Sequence, residues 1–142
     1  MRILGLDVGS KTIGVAVSDP MGWTAQGVTT LQRVHLDEDA RALQKIIDEY
    51  EVEEIVVGLP LRMNGEEGDQ SGKVKWFAEE MQKRLTQKNF TFWDERLSTV
   101  AAERSLLEAD LSREKRKKVI NKMAAVFILQ GYLNQKVGGN SL

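Results

Sequence analysis

Two apolar segments, RILGLDV at residues 2–8 and TIGVAVS at 12–18, are separated only by Gly9-Ser10-Lys11. A link this short cannot reach a parallel neighbour, which needs a crossover of a dozen or more residues, so the pair must form an antiparallel hairpin. The hairpin opens the fold and carries an anomaly. Asp7 stands within the first strand, two residues before a glycine. On a strand its face also holds Ile3 and Gly5, which sets the carboxylate beside core rather than solvent. Burying an ionised group costs several kcal/mol unless it is paired, bound to a metal or held protonated.

Beyond the hairpin, Asp19-Pro20-Met21-Gly22 reads as a turn and Thr24 to Leu31 as a third strand. Asp37 is expected to cap a helix running to about Tyr50, with Ala40, Leu43, Ile47 and Tyr50 on one face. Glu54 to Gly58 is a short strand rich in β-branched residues. The stretch LPLRMNGEEGDQSG, Leu59 to Gly72, reads as a long loop. Ser71 is expected to cap a second helix bearing Val74, Phe77, Ala78, Met81 and Leu85. Phe90 to Trp93 is a further strand, ending at Asp94-Glu95. A third helix is expected over 98–109 and a fourth over about 119–135. An antiparallel start followed by βαβ alternation gives a mixed sheet with helices packed on it, an α/β domain of the ribonuclease-H-like kind. One such domain over residues 1–137 suits a chain of 142 residues, with 138–142 as a disordered tail.

Composition narrows the chemistry. There is no cysteine, which excludes disulfides, thiolate metal sites and a cysteine nucleophile. The single histidine, His35, is expected to be a solvated surface residue, so a metal here needs oxygen ligands. No signal peptide is visible, and the longest apolar run, AAVFIL, is far short of a membrane span. The expectation is a cytoplasmic protein with no membrane contact.

Asp7 has two companions where a plain framework needs no polar residue. Glu95 follows the apolar strand Phe90 to Trp93, and Asn121 stands in the first turn expected for the last helix. Ala124 and Ala125 on the side of Asn121 would let that helix approach the sheet closely. Mg²⁺ takes oxygen ligands, usually one or two carboxylates together with water and substrate phosphate. Two such ions can stabilise the attacking and leaving oxygens of a phosphodiester displacement. The bland alternative is that these residues form ion pairs and helix caps.

Five cations occupy the six residues from Arg113 (Arg113, Lys115, Arg116, Lys117 and Lys118) in a chain whose net charge is −1. Basic side chains at a helix start oppose its dipole, so contact with phosphates explains them better than local stability does. Lys11 and Arg96, beside the two acids, could hold a scissile phosphate. Of the three tryptophans, Trp93 is expected in the core and Trp76 is the better candidate for exposure and base stacking, with Trp23 undecided.

Four motifs in order, LGLDVGSKTIGVAVSD, IVVGLPLRMNG, DERLSTVAAE and KRKKVINKMAAVFILQGYL, resemble those of the YqgF (RuvX) family over about residues 1–135. The resemblance implies the ribonuclease-H-like fold shared with the RuvC Holliday-junction resolvase. It also implies a candidate nuclease linked to maturation of the 5′ end of 16S ribosomal RNA, with Mg²⁺ or Mn²⁺ as cofactor. The family's acids fall on Asp7 and Glu95. Its third acid, an aspartate of the last helix, falls on Asn121, a departure that weakens the third metal ligand.

The first reading is therefore a metal-dependent endonuclease on structured RNA, the precursor of 16S rRNA. A Holliday-junction resolvase on branched DNA is the second. An RNA-binding protein with cleavage attenuated by Asn121 is the third. A sugar-kinase or actin-like ATPase needs a second such domain, for which the chain has no room. A monomer or weak homodimer is expected.

Overall fold

A computed structural model describes residues 1–62, 64–100, 103 and 113–140; of 113–118 and 137–140 it describes the backbone alone. Five strands form one sheet: β1 (Arg2–Val8), β2 (Thr12–Ser18), β3 (Ala25–Gln32), β4 (Val52–Leu59) and β5 (Phe90–Asp94). Their spatial order is β3-β2-β1-β4-β5. The hairpin pairs antiparallel, with Asp7 opposite Gly14, and β3 adds antiparallel to β2. Strand β4 returns parallel to β1, and β5 parallel to β4. The parallel returns are made by helices α1 (Leu36–Tyr50) and α2 (Asp69–Arg84), and a long helix α3 (Arg113–Asn140) follows a short 3₁₀ turn at Glu95–Leu97. This is the mixed α/β sheet expected from the sequence.

Strand alternation sends the two faces of the sheet into two cores. Leu4, Leu6, Val8, Ile13, Val15 and Val17 pack with Leu43 and Ile47 of α1 and with Phe77 and Met81 of α2. Ile3, Ala16 and Val56 pack on the other face with Ala124, Ala125, Ile128 and Leu129 of α3. Both faces of β1 are covered, which explains why its sequence is nearly all apolar.

α3 lies unusually close to the sheet because four strands present glycine beneath it. A Cβ on Gly5 would stand 2.8 Å from the Leu129 Cβ, and one on Gly14 only 1.8 Å from the Asn121 main-chain oxygen. One on Gly27 would meet Lys122 at 2.8 Å, and one on Gly58 would meet Ile128 at 2.4 Å. The two alanines expected to permit close approach are buried in this contact, but the glycines on the strands make the room.

Several boundaries differ from expectation for local reasons. Leu36 packs against the core and draws the first turn of α1 forward, so His35 is the N-cap, its Nδ1 accepting the Glu38 amide at 3.3 Å. His35 is exposed, as expected, while Asp37 sits in the first turn and pairs with Arg84 at 2.9 Å. Ser71 is buried and does not cap α2. Its hydroxyl donates to the Pro60 carbonyl at 2.5 Å, and α2 starts after Gly68. The segment read as one long loop is partly ordered by a bridge between Leu61 and Glu67 around Asn64-Gly65, where φ of Gly65 is +88°. Asn64 Oδ1 accepts the Glu66 amide at 3.0 Å and locks that turn. Most of the helix expected over 98–109 lies outside the described residues. α3 runs on through Gly138 and Gly139 to Asn140, five residues past its expected end and beyond Leu133, the last buried residue among its described side chains. Residues 141 and 142 of the expected tail lie outside the described residues.

Candidate active site and nucleic-acid interface

The three parallel strands β1, β4 and β5 end on one edge of the sheet, and the chemistry collects there. Asp7 is 9% exposed, on the face covered by α3. Leu6 pairs with Val57, so the next step along the parallel ladder sets Asp7 beside Gly58, about 5 Å away across the strands. The Glu95 Oε1 stands 3.0 Å from the position a Gly58 Cβ would take. The missing side chain of Gly58 is thus the space into which Glu95 reaches. Two carboxylates thereby lie over neighbouring strands on the same face.

Asn121 approaches from the opposite side. Its main chain presses on Gly14, the cross-strand partner of Asp7, and its Nδ2 donates to the Thr12 Oγ1 at 2.7 Å. This hydrogen bond, half-buried, sets the rotamer and leaves the amide oxygen as the side chain's acceptor. Asn121 is not in the first turn of its helix. α3 begins at Arg113, because the basic run, made of strong helix formers, is the helix's own beginning rather than a segment before it. The side chains of Arg113, Lys115, Arg116, Lys117 and Lys118 lie outside the described residues.

Among the described residues no three His, Cys, Asp or Glu side chains gather closely enough to hold a metal ion. The donor set at this edge is two carboxylates and an amide. All three offer hard oxygen atoms and none offers sulfur or imidazole, a set that suits Mg²⁺ or Mn²⁺ rather than zinc.

Arg96 takes a different part from the one its neighbourhood suggests. Its guanidinium grips Asp94, with Nε to Oδ1 at 3.0 Å and Nη2 to Oδ2 at 2.6 Å. The Arg96 side chain therefore holds the Asp94 carboxyl below the usual carboxylate range and is itself raised by it. The same guanidinium lies 3.4 Å from the place a Gly65 Cβ would take, beside the Leu61–Glu67 turn. Asp94, on the strand face opposite Glu95, serves this ion pair.

Lys11 is exposed at the rim of a cavity of about 450 Å³, lined by Gly9, Ser10, Lys11, Thr12, Thr30, Gln32 and Asn121. Sequence reasoning passed over this cavity; the polar ends of β2 and β3 were its only signal. Trp93 is buried in the α3 core, whereas Trp76 and Trp23 are 51% and 61% exposed. Trp76 thus has the exposure that base stacking requires. No helix among the described residues is long and apolar enough to cross a membrane.

The family described as RuvX, Holliday junction resolvase, matches residues 1–135. The chain belongs to the RuvX family. A relative in Clostridium perfringens (strain SM101 / Type A) is 60% identical over 135 residues, 95% of this chain and 98% of its own. One in Clostridium tetani is 57% identical over 134 residues, 94% of this chain and 96% of its own. Both are named as candidate pre-16S rRNA nucleases. The Thermus thermophilus RuvC, solved in complex with a Holliday junction substrate, superposes with a TM-score of 0.62 at 11% identity, covering 97% of this chain and 96% of that one. At that identity the likeness shows the fold, which is ribonuclease-H-like. RuvX membership makes this a chain of a nuclease family.

Proposed function

We propose that the protein is a divalent-metal-dependent endonuclease that hydrolyses phosphodiester bonds in structured RNA, with the precursor of 16S rRNA as its substrate and the cytoplasm as its place of action. The observation that carries the proposal is the placement of buried Asp7 on β1 and of Glu95 over Gly58 of the neighbouring β4, at one sheet edge, in a chain whose relatives bear that nuclease name.

Asp7 and Glu95 would hold the cation, and Asn121 would lend a neutral carbonyl oxygen. When bound, the cation supplies positive charge to the phosphodiester oxygens and lowers the cost of deprotonating water. The rest falls to the chain. Burial of Asp7 keeps its carboxylate in one orientation, and Thr12 holds Asn121 in place. Lys11 offers a mobile cation to the backbone phosphates at the rim. The basic start of α3 adds affinity for the substrate's phosphates without reading sequence. The chemistry is hydrolysis: water oxygen bonds to phosphorus and one ester P–O bond breaks.

The test is cleavage of precursor 16S rRNA and of four-way DNA junctions, side by side, with Mg²⁺ or Mn²⁺. Metal-dependent cutting of the RNA that is lost in Asp7→Asn is the expected result. Cutting of the junction alone would favour the resolvase reading, and RNA binding without cleavage at any metal concentration would favour an attenuated binding protein.

A further inference from the structure

The cavity at the open end of the hairpin lies next to Asp7 but has a different chemistry. Thr12 pairs with Gln32 and Gly14 with Thr30, so Thr12, Thr30 and Gln32 stand on the α3 face of the sheet, one and two strands over from Asp7. Asn121 closes the cavity from above, and Ser10 and Lys11 form its outer lip. The lining holds hydroxyls and amides, one cation and no carboxylate. A metal would find no anionic ligand here. A bare anion would use Lys11 and the donors of the hydroxyls and amides, but would leave their acceptor oxygens without a role. Hydroxyl and amide groups that both donate and accept are what reads the edge of a base or a sugar hydroxyl. The volume of about 450 Å³ is in the range of small-molecule sites. Gln32 is exposed and its amide makes no hydrogen bond among the described residues, so a donor and an acceptor are available at the cavity.

We propose that this cavity is a nucleotide subsite, taking the base and sugar of the residue next to the cleaved phosphate, with Lys11 on the phosphate and Gln32, Thr30 and Thr12 on the base and sugar. The nuclease reading enters only in saying which phosphate that nucleotide carries. Asn121 then faces two ways, toward the metal centre and toward the subsite, and Thr12 holds it between them.

The test needs no turnover. The full-length protein, without metal, is titrated with each of the four ribonucleoside 5′-monophosphates, the four deoxy counterparts and inorganic phosphate, followed by NMR of the backbone amides. Nucleotide-dependent shifts at Thr12, Thr30, Gln32 and Asn121 are expected, with phosphate alone moving only Lys11 and its neighbours. Gln32→Ala, on an exposed edge-strand position, should weaken nucleotide binding about fivefold, the value of one hydrogen bond of about 1 kcal/mol. Thr30→Val, close in shape, should separate the ribose from the deoxyribose series less sharply than the wild type does. Identical shifts from phosphate and nucleotides would reduce the cavity to an anion site and overturn the proposal. So would shifts confined elsewhere, or none. If nucleotides bind here and no RNA is cleaved, the subsite stands and the nuclease reading falls.

Discussion

At Gly14 a single absent methyl group decides where α3 can lie. A Cβ there would sit 1.8 Å from the Asn121 main-chain oxygen, an overlap that only movement of the helix backbone can relieve. Gly14→Ala should therefore cost at the upper end of overpacking, about 3 kcal/mol in urea unfolding, and weaken metal binding as Asn121 is displaced. A loss under about 1 kcal/mol would show that α3 shifts without resistance. Asn121 itself offers an oxygen without the charge of aspartate. Asn121→Asp can still bond Thr12, whose hydroxyl then donates, and it adds an anion beside Asp7. Cleavage at fixed Mg²⁺ should rise and the half-maximal metal concentration should fall, while stability without metal drops slightly through like-charge repulsion. Superimposable metal titrations of the two proteins would refute Asn121 as a ligand. Asp7 stands out in the sequence because a carboxylate in an apolar strand is conspicuous, and Glu95 because it directly follows the strand Phe90–Asp94. Arg96 was not, because its partner Asp94 is its near neighbour in sequence and local ion pairing leaves no periodic signal.

At the scale of elements, α3 is tied down at both ends of its contact with the sheet. Asn121 bonds Thr12 near one end. Near the other, Glu54 at the start of β4 is 5% exposed and accepts from the Tyr132 hydroxyl at 2.7 Å and from the Thr91 hydroxyl at 2.8 Å, with Lys136 at 3.9 Å. Burial, and then the bond to Glu54, push the Tyr132 hydroxyl up to about 12. A phenol with a raised value is favoured neutral in the fold, so its contribution is complete below about pH 10 and fades as pH climbs through about 12. Tyr132→Phe should lower Tm at neutral pH and flatten its fall between pH 10 and 12. Parallel curves for the two proteins across that window would contradict the coupling. The succession of strands and helices along the chain and the apolar faces of α1 and α2 could be read from periodicity, whereas the spatial order of the strands comes from the folded sheet. The depth of α3 could not, because it depends on glycines of four strands brought into line only by the folded register.

Across the whole molecule, charge is sorted though the sum is nearly neutral. The basic first turns of α3 lead into the turn that holds Asn121, so under the proposed function substrate held there would be led toward the sheet edge of Asp7 and Glu95. Lys115, Arg116 and Lys118 changed together to Ala should weaken RNA binding for all sequences. Each lost phosphate contact should also flatten the log–log salt dependence by about 0.7 to 0.9. An unchanged slope would make these residues ordinary solvated surface. The account as a whole depends on Asp7 and Glu95 serving one cation. Calorimetric titration of Mn²⁺ into the wild type, Asp7→Asn, Glu95→Gln and the double variant measures that dependence directly. One shared ion predicts that each single change weakens binding strongly and that the double variant loses much less than the sum of the two. Additive losses, or unaltered binding in either single variant, would contradict a common centre.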